Sequence, residues 1–368
     1  MRESIERHRR QPEVSTDEHL RQVGIALGAS IAHRRKLYLD TRYWVLLRNV
    51  VLGRAQSPLY TEILERLRAQ VAAGIALCPM SDVTFTELMR QSDPVTRTTT
   101  AQLIDELSLG VALHTEERRV GTEIAHYLYQ DGARENVHPL AHLVWTRQGL
   151  LLGAAYPRGL PLDAAEEQAL QKAFIDHLSR LSLADLVATI GEPPMPYPFE
   201  AIAYRLNASA RTHAHQIRIF RQAVLNEVAG GLDLMKGQMA DVMLELYARK
   251  HGGPPVQTPE QRTEQERRLH GFFIHLFEKR PQQIGKCLPT LYVHAKCHAA
   301  VRWDRKRNLD GHDLLDFHHA AAAVGYCDAF FTDHPLKVLL RSGHVALHKE
   351  FSCHVVASER EVLDYLRR

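Results

Sequence analysis

The feature that most constrains the fold is the stretch Asn308–Leu340, which reads NLDGHDLLDFHHAAAAVGYCDAFFTDHPLKVLL. Asp313 and Asp316 open an alanine-rich helical segment, and the short apolar run AFFT ends on Asp333. A helix, a strand and a carboxylate where the strand stops fit an open α/β sheet, in which ligands collect beyond the carboxyl ends of strands. Taken alone, each of these aspartates is also explained by an ordinary structural role, as a helix cap or as a turn residue. Their meaning therefore depends on the rest of the chain.

Short apolar runs alternate with amphipathic segments at both ends of the chain. LYL, IALC and GVAL lie between helical patterns in the first part, and AFFT and HVVA follow in the last. This alternation indicates a parallel sheet covered by helices. Between them the pattern is helical with almost no strand, and long helices are predicted over 211–250 and 258–279. We predict an α/β fold, a parallel sheet flanked by helices and interrupted by a mostly helical insertion.

The same patterns give domain boundaries. Residues 1–36 are predicted to form a tail and one amphipathic helix, and 131–299 the helical insertion. The α/β domain comprises two halves, 37–130 and 300–368. An insertion between two halves of a sheet is physically reasonable when its entry and exit lie close together. We expect it to shape substrate access or to bind an inhibitor or another partner protein.

Composition excludes several classes of protein. The net charge of +3 is too small to imply nucleic acid by itself, so any basic surface must be local. No stretch approaches the length of a membrane span, and the charged start MRESIERHRRQPEV lacks the apolar core of a signal peptide. The 5 cysteines are scattered and without CxxC spacing, which favours a reducing compartment. We expect a cytoplasmic protein with no membrane partner.

Acidic residues follow the predicted strands or lie on neighbouring helices. The set is Asp40, Glu87, Asp313, Asp316 and Asp333. If the strands are parallel, these side chains project toward the same end of the sheet. Clustered carboxylates raise one another's pKa unless a cation lies among them. Mg²⁺ or Mn²⁺, which prefer oxygen ligands, would fill that place and could activate water against a phosphate.

Three segments, LYLDTRYW, CPMSDVTFTEL and DLLDFHHAAAAVGYCDAFFTD, resemble the acidic motifs of PIN-domain nucleases. That family has a compact α/β fold and a metal-dependent endoribonuclease site of three or four acids. The resemblance implies that Asp40 is the first acid, Glu87 the second and Asp333 the last. The third is Asp313 or Asp316, and the spacing to Asp333 slightly favours Asp316.

The resemblance covers about 37–125 and 300–368 and leaves the insertion outside. It implies hydrolysis of phosphodiester bonds, with RNA as the expected substrate, leaving a 5′-phosphate and a 3′-hydroxyl. Asp40, Asp316 and Asp333 would hold one or two ions, and Glu87 would be a ligand or orient the attacking water.

Candidate substrate-binding residues lie near these acids in the sequence. They are Thr41, Arg42, Arg90, Arg302, His319 and Thr332. The run RWDRKR, which begins at Arg302, could grip phosphates, although a solvated helix end is the commoner role of such a run. One of His318 and His319 should face the site next to Asp316, and structural packing is the competing role.

Other classes of function are compatible with parts of the sequence. A catalytically inactive PIN-like module that binds nucleic acid or protein is the main alternative, although clustered carboxylates have no use in an inactive site. A phosphohydrolase of the haloacid dehalogenase type would need an aspartate where Arg42 stands. His294 and His298 have a spacing that can bind zinc, but the HExxH glutamate is missing, which favours a structural role.

Overall fold

The structure is a computed structural model that describes residues 1–132, 137–191, 199–253, 255–304 and 306–368. The chain is mixed α/β and mostly helical, at 69%. It divides into two compact units. Unit 1 comprises Met1–Thr115, the described residues of Ala141–Pro196, and Ala357–Arg368; unit 2 comprises the described residues of Glu116–Leu140 and Tyr197–Val356.

The elements of the described chain are mostly short helices. The helices are α1 (Arg2–Arg9), α2 (Thr16–Ser30), α3 (Thr41–Val51), α4 (Pro58–Ala72), α5 (Asp82–Met89), α6 (Pro94–Ser108), α7 (Glu116–Gly132), α8 (Leu140–Leu143), α9 (Ala164–Leu178), α10 (Leu183–Ile190), α11 (Phe199–His213), α12 (Phe220–His251), α13 (Pro259–Lys279), α14 (Pro281–Cys287), α15 (Pro289–Trp303), α16 (Gly311–Ala323), α17 (His334–Arg341), α18 (Leu347–Glu350) and α19 (Glu359–Leu366). The strands are β1 (Arg35–Leu39), β2 (Ala76–Leu77), β3 (Val111–Leu113), β4 (Trp145–Arg147), β5 (Ala329–Phe331) and β6 (His354–Val356). Short 3-10 turns lie at Gln148–Leu150 and Ala214–Gln216.

Four of these strands pair in parallel, two in each unit, as the alternating pattern predicts. In unit 1, β1 pairs with β2, with Arg35 opposite Ala76. In unit 2, β5 pairs with β6, with Ala329 opposite His354. Leu37–Leu39 and Ala329–Phe331 are fully buried, as expected for parallel strands covered on both faces. Each parallel pair places the ends of its strands, and the helices that follow, at one edge.

The third predicted strand pairs differently from the prediction. β3 runs antiparallel to β4, with Val111 opposite Arg147, and only Ala112 forms a parallel bridge, to Met80. Almost no strand was predicted between 130 and 300, and β4 is the single strand among the described residues of that range. Its three residues lie in the segment HLVWTRQGLLL, and periodicity does not separate a short buried strand from a helix.

The N-terminal segment contains two helices where one was predicted. Ser15 begins α2, and its hydroxyl accepts a hydrogen bond from the amide of Glu18 at 3.1 Å. This N-cap separates α2 from α1, which packs on α9 of the same unit. The charged sequence of α1 therefore forms an ordered helix that contacts a neighbouring helix.

Unit 2 has a helical core built mainly from α7, α12, α13 and α15. The helix predicted over 258–279 is confirmed as α13, which a capping box at Thr258 begins. The helix predicted over 211–250 begins too early. The first residues belong to α11, and α12 starts at Phe220 after the extended residue Ile219. Gly252, in a left-handed conformation with φ of 80°, ends α12.

The predicted domain boundaries follow changes in the sequence pattern, whereas the two units follow which segments contact one another. α7 lies in unit 2, so residues 37–130 divide after Thr115. The second predicted half divides before Ala357. The nuclease domain and the insertion therefore stay a prediction from sequence. No helix in the described ranges combines the length and apolar character that crossing a bilayer requires.

Candidate functional site

Asp40 stands where the buried strand β1 passes into α3. Its Oδ1 accepts a hydrogen bond from the Tyr43 amide at 3.3 Å, so the side chain caps the helix. The residue is 6% exposed. Strand burial before Asp40 and the cap after it fix the carboxylate at the carboxyl end of β1.

Glu87 is joined to the residue that follows Asp40. The Thr41 hydroxyl donates a hydrogen bond to Glu87 Oε2. The first turn of α5 is held to β1 by Tyr38, whose hydroxyl lies 2.6 Å from Ser81 Oγ. Two carboxylates and a hydroxyl are thus positioned at one edge of the β1–β2 pair. Oxygen donors of this kind are the ligands that Mg²⁺ and Mn²⁺ prefer.

Two arginines predicted to bind substrate lie in the same unit. Arg42 Nη2 is 3.3 Å from Glu359 Oε1, and the Arg42 side chain is exposed. Arg90 is exposed at the end of α5. An exposed ion pair is weak and readily exchanged. Both guanidinium groups therefore remain accessible to an anion.

Asp313 takes the capping role that competes with metal binding. It forms a capping box with Asp310, whose amide donates to Asp313 Oδ2 at 3.2 Å. Asp313 Oδ1 forms an ion pair with Arg307. Both oxygens are engaged in holding the start of α16. The structure thus places Asp313 with its own helix rather than with another predicted acid.

Asp316 and Asp333 belong to two different helices of unit 2, Asp316 within α16 and Asp333 as the cap of α17. Asp316 lies one turn after Asp313 on α16 and is partly buried. Asp333 directly follows β5 and caps α17, accepting a hydrogen bond from the Leu336 amide at 2.8 Å. The order of strand and carboxylate predicted for Asp333 is therefore present.

The other residues of unit 2 that were predicted to bind substrate are either buried or already form an ion pair. Thr332 and His319 are buried. Arg302 forms an ion pair with Glu227 on α12. Arg305, within RWDRKR, lies outside the described residues. Phosphate binding by these side chains would require them to leave their present surroundings.

Unit 2 contains a cluster of one glutamate and two histidines that was not predicted from the sequence. Glu116, the first residue of α7, has Oε1 2.5 Å from His294 Nδ1 and Oε2 2.5 Å from His318 Nδ1. His294 lies on α15 and His318 on α16. Burial would raise the pKa of Glu116, but the two imidazoles hold it well below its ordinary value. We call these three residues the α7 cluster.

His298 extends this cluster. Its Nε2 lies 2.9 Å from Nε2 of His294, and its ring packs edge-on against Phe317. Burial lowers the pKa of His298 well below its ordinary value, and the neighbouring histidines lower it further. His298 is therefore neutral near pH 7 and can either donate to or accept from His294.

A second carboxylate–histidine cluster lies in unit 1. Asp176 Oδ2 is 2.8 Å from His8 Nε2, and Oδ1 is 2.9 Å from His19 Nε2. Arg7 and Ser4 also bond Asp176 Oδ2. The contacts of Arg7 and His8 with Asp176 join α1 to α9. The guanidinium of Arg7 already pairs with this carboxylate, which favours a structural role for the cluster.

The sequence carried only part of the signal for the α7 cluster. The i, i+4 spacing of His294 and His298 was visible, but Glu116 is 178 residues from His294. No local periodicity links residues at that separation.

Comparison with family models, with curated proteins and with solved structures gives no match.

Proposed function

We propose that the chain is a divalent-metal-dependent endoribonuclease of the PIN-like class that acts in the cytoplasm. In this proposal Asp40 and Glu87 are ligands of Mg²⁺ or Mn²⁺. The observation that carries it is the hydrogen bond from Thr41 to Glu87, directly beside Asp40 at the carboxyl end of a buried parallel strand. Ligand sites of α/β proteins commonly lie at this edge.

The chemistry of the donors supports this ion class. Mg²⁺ is usually held by one or two carboxylates and completes its coordination with water and substrate phosphates. Asp40 and Glu87 supply that number in unit 1. A bound ion would neutralise charge on the scissile phosphodiester and lower the pKa of a coordinated water. Arg42 and Arg90 are accessible for contacts with the RNA backbone.

The other ligands in the proposal come from the sequence resemblance. Asp316 and Asp333 belong to unit 2 and are included on that ground alone. Asp316 is preferred to Asp313, because Asp313 is occupied by its capping box and by Arg307. Each acid therefore enters the test as a separate variant.

The experiment is a cleavage assay on labelled single-stranded and structured RNAs with the full-length protein and Mn²⁺. Asp40→Asn and Glu87→Gln should each reduce the rate by about 100-fold or more, because the metal supplies several kcal/mol of charge stabilisation. Asp316→Ala and Asp333→Ala should do the same if they are ligands.

Asp93→Asn is the matched control. Asp93 caps α6 as Asp40 caps α3, with Oδ2 3.0 Å from the Thr96 amide, but it is exposed and lies outside the three predicted motif segments. Asn is also a good N-cap, so stability should hardly change. Wild-type cleavage by Asp40→Asn, or cleavage undiminished by a chelator, would refute the proposal. Metal binding without cleavage of any RNA would favour the inactive binding module.

A further inference from the structure

We propose that the α7 cluster, Glu116, His294 and His318, binds a divalent transition-metal ion of the Zn²⁺ class. Each residue offers one ligand atom, and these atoms all lie within 4.8 Å of one another. Two imidazole nitrogens and one carboxylate oxygen suit Zn²⁺, Fe²⁺ or Ni²⁺ better than Mg²⁺. This site differs in donor type from the proposed nuclease site, which has oxygen donors only.

Three packed helices hold the ligands. α15 packs against both α7 and α16, so the elements that carry Glu116, His294 and His318 contact one another directly. Both histidines turn Nδ1 toward the two oxygens of the same carboxylate. The ligand atoms therefore converge before any ion binds, and little side-chain ordering is left for the binding step.

His298 supplies the outer partner that a metal-bound imidazole needs. A histidine that binds metal through Nδ1 carries its proton on Nε2, and that N–H requires an acceptor. Nε2 of His298, 2.9 Å from Nε2 of His294, can accept it. Metal binding would fix His294 as the donor of this hydrogen bond and His298 as the acceptor.

The site is partly open. The side chains of Glu116, His294 and His318 are 19%, 21% and 33% exposed. Zinc sites with three protein ligands keep a fourth position for water or substrate, whereas structural sites use four. The three ligands and their exposure fit the first kind. The expected occupant of the remaining position is a water molecule or a small oxygen-donor ligand.

The Asp176 cluster of unit 1 provides the contrast. It also has two histidines and one carboxylate, but Arg7 occupies the same Asp176 oxygen as His8. A cation would have to displace the guanidinium. We therefore expect Zn²⁺ to bind the α7 cluster and leave the Asp176 cluster unoccupied.

The test is Zn²⁺ titration calorimetry with metal analysis on the chelator-stripped full-length protein. Glu116→Gln and His318→Gln should each lose one equivalent relative to wild type. His19→Gln and Asp93→Asn should keep it. His298→Ala should retain the stoichiometry but weaken binding by about 10- to 100-fold, as loss of an outer hydrogen-bond partner does. Unchanged stoichiometry and affinity in Glu116→Gln and His318→Gln, or no binding by wild type, would overturn the proposal.

A Co²⁺ titration of wild type keeps the proposal testable if a variant does not fold. Coordination by two imidazoles and a carboxylate should give visible absorption stronger than that of hydrated Co²⁺, and one equivalent of Zn²⁺ should remove it. A spectrum that stays that of the hydrated ion would count against the site.

Discussion

Glu123 on α7 is a buried acid whose charge state should change near neutral pH. Its Oε1 accepts hydrogen bonds from the Thr290 amide at 3.0 Å and from the Tyr326 hydroxyl. The side chain is fully buried. Burial raises the pKa of Glu123 from its ordinary value of 4.5 to about 7. The folded protein therefore holds a proton on Glu123 that the unfolded chain releases at lower pH.

Glu123→Gln should change how stability depends on pH. Between the unfolded and folded pKa values the folded state binds more protons, so wild-type stability falls as pH rises from about 4.5 to about 7. Glutamine keeps the acceptor for Thr290 and Tyr326 and removes the titration. The variant should be more stable than wild type near pH 8, by at most roughly 3 kcal/mol, from about 1.4 kcal/mol for each pKa unit.

Denaturant unfolding of both proteins from about pH 5 to about pH 8 measures this difference. Groups that titrate in both proteins cancel when the two profiles are subtracted. Parallel profiles would mean that Glu123 is ionised or solvated in the folded state, in conflict with its burial.

Single residues differ in how far sequence can assign them. Asp40 and Asp333 each follow a short buried strand and cap the next helix, and local patterns predict both features. The sequence allows Asp313 to be either a helix cap or a metal ligand. Its contacts with Asp310 and Arg307 in the structure favour the cap. The sequence around Glu116 does not predict its histidine partners, because only tertiary packing brings these residues together.

On helix α2, two glycines one turn apart meet different surroundings. A Cβ added at Gly28 would lie 2.1 Å from the His142 carbonyl oxygen, whereas one at Gly24 would lie 3.6 Å from that of Trp145. The first distance is impossible without backbone movement, and the second is an ordinary contact. Close approach of α2 to the backbone before β4 therefore requires glycine at position 28 only.

The pair Gly28→Ala and Gly24→Ala should shift stability in opposite directions. Gly28→Ala should destabilise the protein by about 1–3 kcal/mol through overpacking. Gly24→Ala should stabilise it by up to about 1 kcal/mol, because alanine is the better helix former. Thermal unfolding of both variants beside wild type measures this. Equal effects would show that α2 does not approach residue 142 this closely.

Elements with strong local patterns were predicted better than their pairing. β2, β5 and β6 lie within the predicted apolar runs, and α13 matches its predicted range. β1 contains its predicted run LYL but begins earlier, at Arg35. The antiparallel partner of β3 was missed, because strand pairing depends on tertiary contacts between β3 and β4 rather than on either sequence. The gap between α11 and α12 was missed for a similar reason, since helical residues continue on both sides of it.

All five cysteines of the molecule lie in its described part and carry thiols rather than disulfides. Four are buried, and Cys287 is partly exposed. Burial raises the pKa of the Cys78, Cys297 and Cys353 thiols well above the ordinary value. Thiols in this state are poor nucleophiles, because the thiolate is the reactive form.

A thiol-reactive chromogenic reagent should therefore distinguish the folded from the unfolded molecule. The native protein near neutral pH should react fastest at about one site, Cys287, because it is the partly exposed thiol, although burial raises its pKa too. The buried thiols should react slowly, because they are neither accessible nor ionised. Cys287→Ser should remove the rapid phase. Denaturation without reductant should release all 5 thiols. Fewer than that number would mean that a disulfide forms, contrary to the predicted reducing compartment.

For the whole molecule, the sequence predicted the mixed α/β class but not the division of the chain. Parallel pairs and helical segments follow from hydrophobic periodicity. The assignment of α7 to unit 2, and of Ala357–Arg368 to unit 1, reflects contacts between distant segments. α19, for example, packs on α4 although most of the chain separates them. Such contacts leave no trace in a single sequence.

Mn²⁺ binding at Asp40 and Glu87 can be measured directly by the electron paramagnetic resonance of the unbound ion. The Glu116→Gln background keeps the α7 cluster from contributing. In that background we predict Mn²⁺ binding that Asp40→Asn weakens by at least about 10-fold, because loss of a direct ligand should cost no less than loss of an outer hydrogen-bond partner. Asp93→Asn should leave the binding curve unchanged. Identical Mn²⁺ affinity with Asp40 and with Asn at that position would contradict the metal site on which the nuclease proposal rests.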